Sequence, residues 1–211
     1  MHQNIIIAVV VTYHPEEKIL AALLGALAPQ VREIVVVDNG QAQTSSLLMS
    51  AGIASDKISV LALGENYGVA AAQNRGIAVA KRKGATHVLL LDHDSIPAPD
   101  MVEKLFEAVE NLTGRGLKVA AVGPRYRFPD TDHYSYFVRF GKLRFKKIYC
   151  SGEDGREYIP VDFLISSGCL IPCDALNAVG QMDESLFIDH VDTDWFLRAR
   201  YDGYAAFGVC S

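Results

Sequence analysis

Apolar and polar positions along this chain fall into two alternating rhythms. Ile5 to Val11 is a continuous β-branched run, the pattern of a parallel strand covered on both faces. From Glu16 to Leu27 the apolar residues Ile19, Leu20, Leu23, Leu24 and Leu27 recur at helical spacing, and Pro29 stops the helix. The same exchange repeats as strand Val31 to Val37, a short helix Thr44 to Ala51 closed by Gly52, and strand Ile58 to Leu63. A helix then opens on the small residues of Asn66 to Gly76 and ends near Lys83-Gly84. Strand Thr86 to Leu91, a helix from about Asp100 to Leu112 and strand Val119 to Val122 follow. Regular strand-helix alternation predicts an α/β fold with a mostly parallel central sheet flanked by helices and right-handed crossovers.

The character changes after Gly123-Pro124. Arg125 to Tyr149 interleaves aromatic residues with basic ones, among them Arg125, Arg127, Arg139, Lys142, Arg144, Lys146 and Lys147. This predicts a small additional β region, a hairpin whose basic side is solvated or serves as an acceptor or membrane-surface patch. Further on, the pattern predicts a strand Val161 to Ile165, a helix Asp174 to Val179 ended by Gly180, a helix around Asp192 to Arg200 and a strand Ala205 to Val209. The chain divides into residues 1–123, the regular α/β half, and residues 124–211, a second half of the same domain.

With 211 residues, half of them hydrophobic, the chain is long enough to bury a full core. A net charge of −5 argues against a dedicated nucleic-acid binder. The longest apolar runs fall far short of the roughly 20 residues that cross a bilayer, and the Met1-His2-Gln3-Asn4 start lacks a secretory pattern. Cys150, Cys169, Cys173 and Cys210 have no zinc-like spacing, so reduced thiols in the cytoplasm are expected.

The stretch that carries chemistry is Leu89-Leu90-Leu91-Asp92-His93-Asp94-Ser95. Two carboxylates at the end of an apolar strand suit a divalent cation such as Mg²⁺ or Mn²⁺, which keeps positions open for phosphate oxygens. Asp-x-Asp occurs three times, the others being Asp130-Thr131-Asp132 and Asp192-Thr193-Asp194. Only the Asp92 pair follows a buried-looking strand, where ligands of open α/β sheets bind. The first strand runs into Thr12-Tyr13-His14-Pro15 rather than a Gly-x-Gly-x-x-Gly turn, which excludes a dinucleotide site there. There is also no P-loop and no nucleophile elbow.

In order along the chain stand Val10-Val11-Thr12-Tyr13, Val37-Asp38-Asn39, Asn66-x-Gly-x-Ala-x-Ala-x-Asn-x-Gly, Leu91-Asp92-His93-Asp94-Ser95 and Phe187-Ile188-Asp189-His190-Val191-Asp192. This ordered set resembles the inverting family-2 glycosyltransferases with the GT-A fold. Within that family the Leu-Leu-Leu-Asp-His-Asp-Ser and Phe-Ile-Asp-His-Val-Asp-Thr-Asp-Trp segments look most like bacterial rhamnosyltransferases that use dTDP-L-rhamnose.

The resemblance implies a role for each matching residue. Thr12, Tyr13 and Asp38 would meet the nucleoside, although Asp38 also suits capping of the Asn39-Gly40 turn. Asn66 and Asn74 would bracket the nucleotide, with Gly68, Gly76 and Gly168 allowing close approach; tight packing of a helix start is the other account of the first two glycines. Asp94 would hold the metal, with Asp92 on the ribose or a metal-bound water, and Asp192 would be the general base. Asp189, His190 and Asp194 compete for that last role, while Trp195 and Phe196 suit the core or an acceptor wall. The partners implied are a nucleotide-sugar donor and a glycan or lipid-linked glycan acceptor, at the inner membrane face with peripheral contact and no nucleic acid. Family members continue past Ser211 and place a metal-binding histidine there, so a C-terminal truncation is expected. A metal-dependent nucleotidyltransferase and a non-catalytic nucleotide-sugar-binding module are the competing functions.

Overall fold

The computed structural model describes residues 4–41, 44–50, 56–128, 131–141, 144–150 and 157–210. Met1 to Gln3, Ala51, Gly52, Asp130, Lys142 and Ser211, which figure in the predictions above, lie outside the described residues. In chain order the elements are β1 (Ile6–Thr12), α1 (Glu17–Leu27), β2 (Glu33–Asp38), α2 (Thr44–Ser50), β3 (Ile58–Ala62), α3 (Val69–Arg82), β4 (His87–Asp92), α4 (Met101–Gly114) and β5 (Val119–Pro124). They continue with β6 (Phe137–Phe140), β7 (Phe145–Ile148), β8 (Tyr158–Val161), β9 (Cys169–Pro172), α5 (Cys173–Val179), a 3₁₀ turn (Glu184–Leu186), α6 (Val191–Tyr201) and β10 (Ala205–Val209).

Eight strands form one sheet in the order β3-β2-β1-β4-β9-β5-β10-β8. The β3-β2-β1-β4 run and the β5-β10 pair are parallel. β9 lies antiparallel between β4 and β5, and β8 is an antiparallel edge on β10. β1 shows why the β-branched run folds this way. Ile7, Val9 and Val11 face one apolar layer, while Ala8 and Val10 face the other. The first layer is covered by α3, α5 and α6 through residues such as Ala72, Leu176 and Trp195, and the second by α1 and α4 through Leu20, Leu24 and Leu105. Each strand buried on both faces needs apolar residues at every position, which is the continuous pattern that the sequence displays.

Two expectations are corrected. The predicted strand Val161 to Ile165 is not one: only Val161 belongs to β8, and the second strand of the region is β9. Asp162 turns the chain out of the sheet, because its carboxylate accepts the Phe140 N–H and pairs with Arg200 at 2.7 Å. Leu164 then packs over Gly123, where an added Cβ would stand 3.1 Å from its methyl carbons. A short apolar run does not by itself separate a strand from a buried crossing segment. The cysteines differ too, for Cys150 and Cys210 form a disulfide with Cα atoms 5.5 Å apart, while Cys169 and Cys173 are free and buried. The Cys210 N–H donates to the Glu157 carbonyl, so this bond ties the end of β10 to the segment that follows β7. The aromatic-basic region is the predicted hairpin, a two-stranded antiparallel sheet of β6 and β7. Among the described residues no helix is long and apolar enough to cross a membrane.

Candidate active site

The carboxyl ends of β1, β2 and β4 open into a cleft of about 430 Å³, the position where open α/β sheets bind ligands. Tyr13, Asn39 and the Asp92-His93-Asp94 turn line it at those strand ends. Asn66, Gly68 and Val69 line it together with Phe187, whose carbonyl accepts the Val69 N–H, and Ser166, Ile188 and Asp192 complete the lining. Asp92, Asp94 and Asp192 therefore line one cavity, although Asp192 stands 98 positions after Asp94.

A serine pair joins the two carboxylate elements. The Ser166 N–H donates to Asp192 Oδ2 at 3.0 Å. The hydroxyl of the next residue, Ser167, accepts the Asp92 N–H at 3.2 Å and donates to Ser95 Oγ at 2.8 Å. Burial pushes the Asp192 carboxyl up to about 6; the charge of Asp92 adds to this, and bonding from Ser166 offsets part of it. Asp92 is also raised, first by burial and then by the charge of Asp94, with His93 opposing. Asp192 is the second residue of α6, where the helix dipole favours a negative charge. Desolvation outweighs that field.

None of the three carboxylates has an ion pair among the described residues. Nor is any group of three or more His, Cys, Asp or Glu among the described residues arranged to hold a metal ion. Asp92 and Asp94 offer hard oxygens of the kind that Mg²⁺ and Mn²⁺ take, and two carboxylates leave most of a six-coordinate shell to phosphate oxygens and water. The donor set fits such an ion only together with a phosphorylated ligand.

Of the donor-binding residues predicted from sequence, Tyr13, Asn66, Gly68 and Asp92 line the cleft, and the rest support it from behind. Thr12 is fully buried, its hydroxyl 3.0 Å from Thr44 Oγ1 and 3.4 Å from the Val37 carbonyl. Asp38 is buried with both oxygens committed, Oδ1 to the Gly40 N–H and Oδ2 to the Thr44 N–H, so it caps the turn and the first residue of α2. Asn74 spends its amide on both backbone groups of Met182 and on Glu184. Gly76 lets α3 lie on the sheet, since an added Cβ would stand 2.3 Å from Val9 Cγ1. Gly168, at φ +84°, reverses the chain into β9 beside Pro124, and its N–H donates to the Leu90 carbonyl.

Gly68 meets the strictest requirement. Its φ is +85°, and a Cβ there would lie 2.6 Å from the Phe187 carbonyl oxygen. That carbonyl accepts the Val69 N–H at 2.7 Å, so the loop before α6 caps the start of α3 and fixes the width of the cleft.

The competitors of Asp192 are occupied or turned away. Asp194 pairs with Arg198 at 2.8 Å, and Arg198 also donates to the Val179 and Gln181 carbonyls. His190 and Asp189 are exposed and do not line the cleft. Trp195 and Phe196 are buried in the core, with the indole N–H donating to the Gly180 carbonyl.

Asn39, Ser166 and Phe187 are among the cleft residues that were given no role from sequence. Asn39 donates to Asn66 Oδ1 at 3.0 Å and accepts the Tyr67 N–H at 2.9 Å. Strand alternation was the available signal for it, because successive side chains of an extended segment point to opposite faces. With Asp38 turned inward, Asn39 faces the ligand side.

Comparison with known proteins bears on the family and the fold. Residues 8–180 match the family model for glycosyl transferase family 2, a span that stops short of Asp192. The chain is 37% identical over 200 residues to the dTDP-rhamnosyl transferase RfbF of Shigella flexneri, covering 94% of this chain and 64% of that protein. It therefore spans somewhat less than two-thirds of that relative. Among solved structures, S. aureus TarS 1–349 superposes with a TM-score of 0.62 at 16% identity, over 98% of this chain and 60% of that one. TarS 1–349 in complex with UDP gives 0.64 over the same shares. At such identity the likeness concerns the fold alone, which is GT-A. The chain belongs to glycosyl transferase family 2.

Proposed function

We propose that this chain carries the catalytic centre of an inverting rhamnosyltransferase, which moves L-rhamnose from dTDP-L-rhamnose to a hydroxyl of a cell-surface polysaccharide or lipid-linked glycan precursor. The observation that carries this reading is the convergence of Asp92, Asp94 and Asp192 on one cleft. The likeness to the Shigella dTDP-rhamnosyl transferase supports the choice of donor.

Asp192 takes the proton of the acceptor hydroxyl while that oxygen attacks the anomeric carbon from the face opposite the diphosphate. The C–O bond to the diphosphate breaks on the other side, and the configuration inverts. A carboxyl near 6 is still far too weak a base to ionise a sugar hydroxyl beforehand, so the proton moves within the transition state. Position decides the rate more than basicity does, and the Ser166 N–H supplies the position.

Asp94 and Asp92 would hold a divalent cation, Mn²⁺ or Mg²⁺, which when bound neutralises charge on the departing nucleoside diphosphate. Tyr13, Asn39 and Asn66 would bind the nucleoside end of the donor, and Thr12 and Asp38 would keep their loops in register. No Lys or Arg is among the described residues lining the cleft, which does not favour nucleotidyl transfer from a triphosphate.

The test is nucleoside diphosphate release from a panel of nucleotide sugars, with and without a chelator. Metal-dependent release from dTDP-L-rhamnose is expected. The reading is overturned if the cleft binds and turns over none of the panel, or if pyrophosphate is the product.

A further inference from the structure

A second cavity, of about 230 Å³, opens beside the first on the far side of Ser167. Its walls include Tyr126, Phe128, Tyr136, Ile165 and Ser167, and no charged side chain is among its described lining residues. The rings are held in place. Arg127 bridges Tyr134 in antiparallel fashion, the Tyr126 N–H donates to Ser135 Oγ, and the Phe128 N–H donates to the His133 carbonyl. Tyr126 and Phe128 meet edge to face at 5.3 Å. Each nonetheless leaves more than 40% of its surface exposed. Two nearby cations are drawn onto ring faces, Arg125 onto Tyr134 at 4.4 Å and Lys147 onto Tyr136 at 4.2 Å.

Such a wall suits an uncharged ring with one apolar face and a hydroxylated rim. Sugar C–H bonds stack on aromatic faces, while the phenols of the exposed Tyr126 and Tyr136 are available to hydroxyl groups. The volume is below the roughly 300 Å³ at which drug-sized ligands begin to fit, which leaves room for a single pyranose. Ser167, on its wall, directly follows Ser166, which holds Asp192. Consecutive Cα atoms lie about 3.8 Å apart, so the wall of this cavity and the residue that positions the base are immediate chain neighbours.

We propose that this aromatic cavity is an acceptor subsite, holding a neutral sugar next in line to the one whose hydroxyl Asp192 deprotonates. The inference rests on the glycosyltransferase reading and deepens it: the preferred acceptor is at least a disaccharide.

The test uses methyl glycosides of neutral hexoses and 6-deoxyhexoses, as mono- and disaccharides, against the wild-type chain and the variants Tyr126→Leu and Phe128→Leu. Leucine keeps an apolar wall and removes the stacking face, and dTDP binding verifies that each variant is folded. Saturation-transfer NMR on the donor-free protein is expected to show ring-proton contacts for a disaccharide, lost in Phe128→Leu. In turnover, KM for the disaccharide should rise about three- to ten-fold in either variant with kcat retained, while KM for the monosaccharide stays put. The NMR arm needs no donor, so it tests the subsite even where no nucleotide sugar is turned over. Equal affinity for mono- and disaccharides, insensitive to both variants, overturns the subsite. So does sensitivity to a long alkyl aglycone but not to sugar number, which would make the cavity a lipid site.

Discussion

The backbone N–H of Ser166 reaches Asp192 Oδ2 at 3.0 Å and so fixes the carboxylate in the cleft from a segment 26 residues away. An amide oxygen accepts that same bond, so Asp192→Asn preserves the geometry and removes only the proton acceptor. Transfer should fall by about 10²–10⁴-fold. Isothermal titration with the donor should show affinity within a few-fold of wild type. An Asp192→Asn variant with near-normal kcat would falsify the general-base assignment.

The raised Asp192 carboxyl sets the pH profile. As the base it must be ionised, so kcat/KM should climb with pH through about 6 and level off above. A profile with no acid limb between pH 5 and 7 contradicts the role.

The same shift has a stability cost. The folded protein holds the Asp192 proton more tightly than the unfolded chain, whose carboxyl titrates near 3.8, so stability falls as pH rises from about 4 through about 6. Asp192→Asn should therefore be more stable at pH 7 by about 1–3 kcal/mol, with the gain shrinking toward pH 4. Urea unfolding at the two pH values measures the difference, and an equal gain at both would place its origin elsewhere.

Two glycines of α3's sequence run separate packing from binding. Gly68→Ala forces a side chain onto φ +85° and against the Phe187 carbonyl, so stability should drop by about 1–3 kcal/mol and donor KM should rise as the cap of α3 shifts. Gly76→Ala overpacks Val9 and Val37, at a cost of about 1–3 kcal/mol, but should leave the donor affinity of the folded fraction unaltered. Identical effects on donor binding would erase the distinction.

Cys150 and Cys210 close a loop of 60 residues. Reduction, or Cys150→Ser, should lower unfolding stability by about 2–4 kcal/mol. The comparison is denaturant midpoints with and without a thiol reductant, and coincident midpoints would show that the bond adds nothing.

The sheet and both helical layers were legible because β1, β2 and β4 are apolar throughout their centres and their helices carry an apolar stripe. Asp92 and Asp94 were legible as cleft residues because a pair of carboxylates follows the carboxyl end of a buried strand, where open α/β sheets bind ligands. Asp38 and Asn74 were harder. Polar residues in the family's motifs look the same whether they touch a ligand or tie loops together, and only coordinates show Asp38 on the Gly40 and Thr44 amides and Asn74 on Met182. Ser166 was invisible for a related reason: its contribution is a main-chain N–H, which any residue but proline would carry.

β9 sits between β4 and β5, yet it is made long after both. During synthesis at roughly 5–20 residues per second, the 80 residues from Asp92 to Pro172 take on the order of 4–16 s to emerge. Until then the flank of β4 that β9 occupies in the finished sheet has no such partner, and an unpaired flank of this kind is what another chain can pair with. Because the Ser166-Ser167 pair directly precedes β9, its bonds to Asp92 and Asp192 join parts of the sheet that leave the ribosome far apart in time.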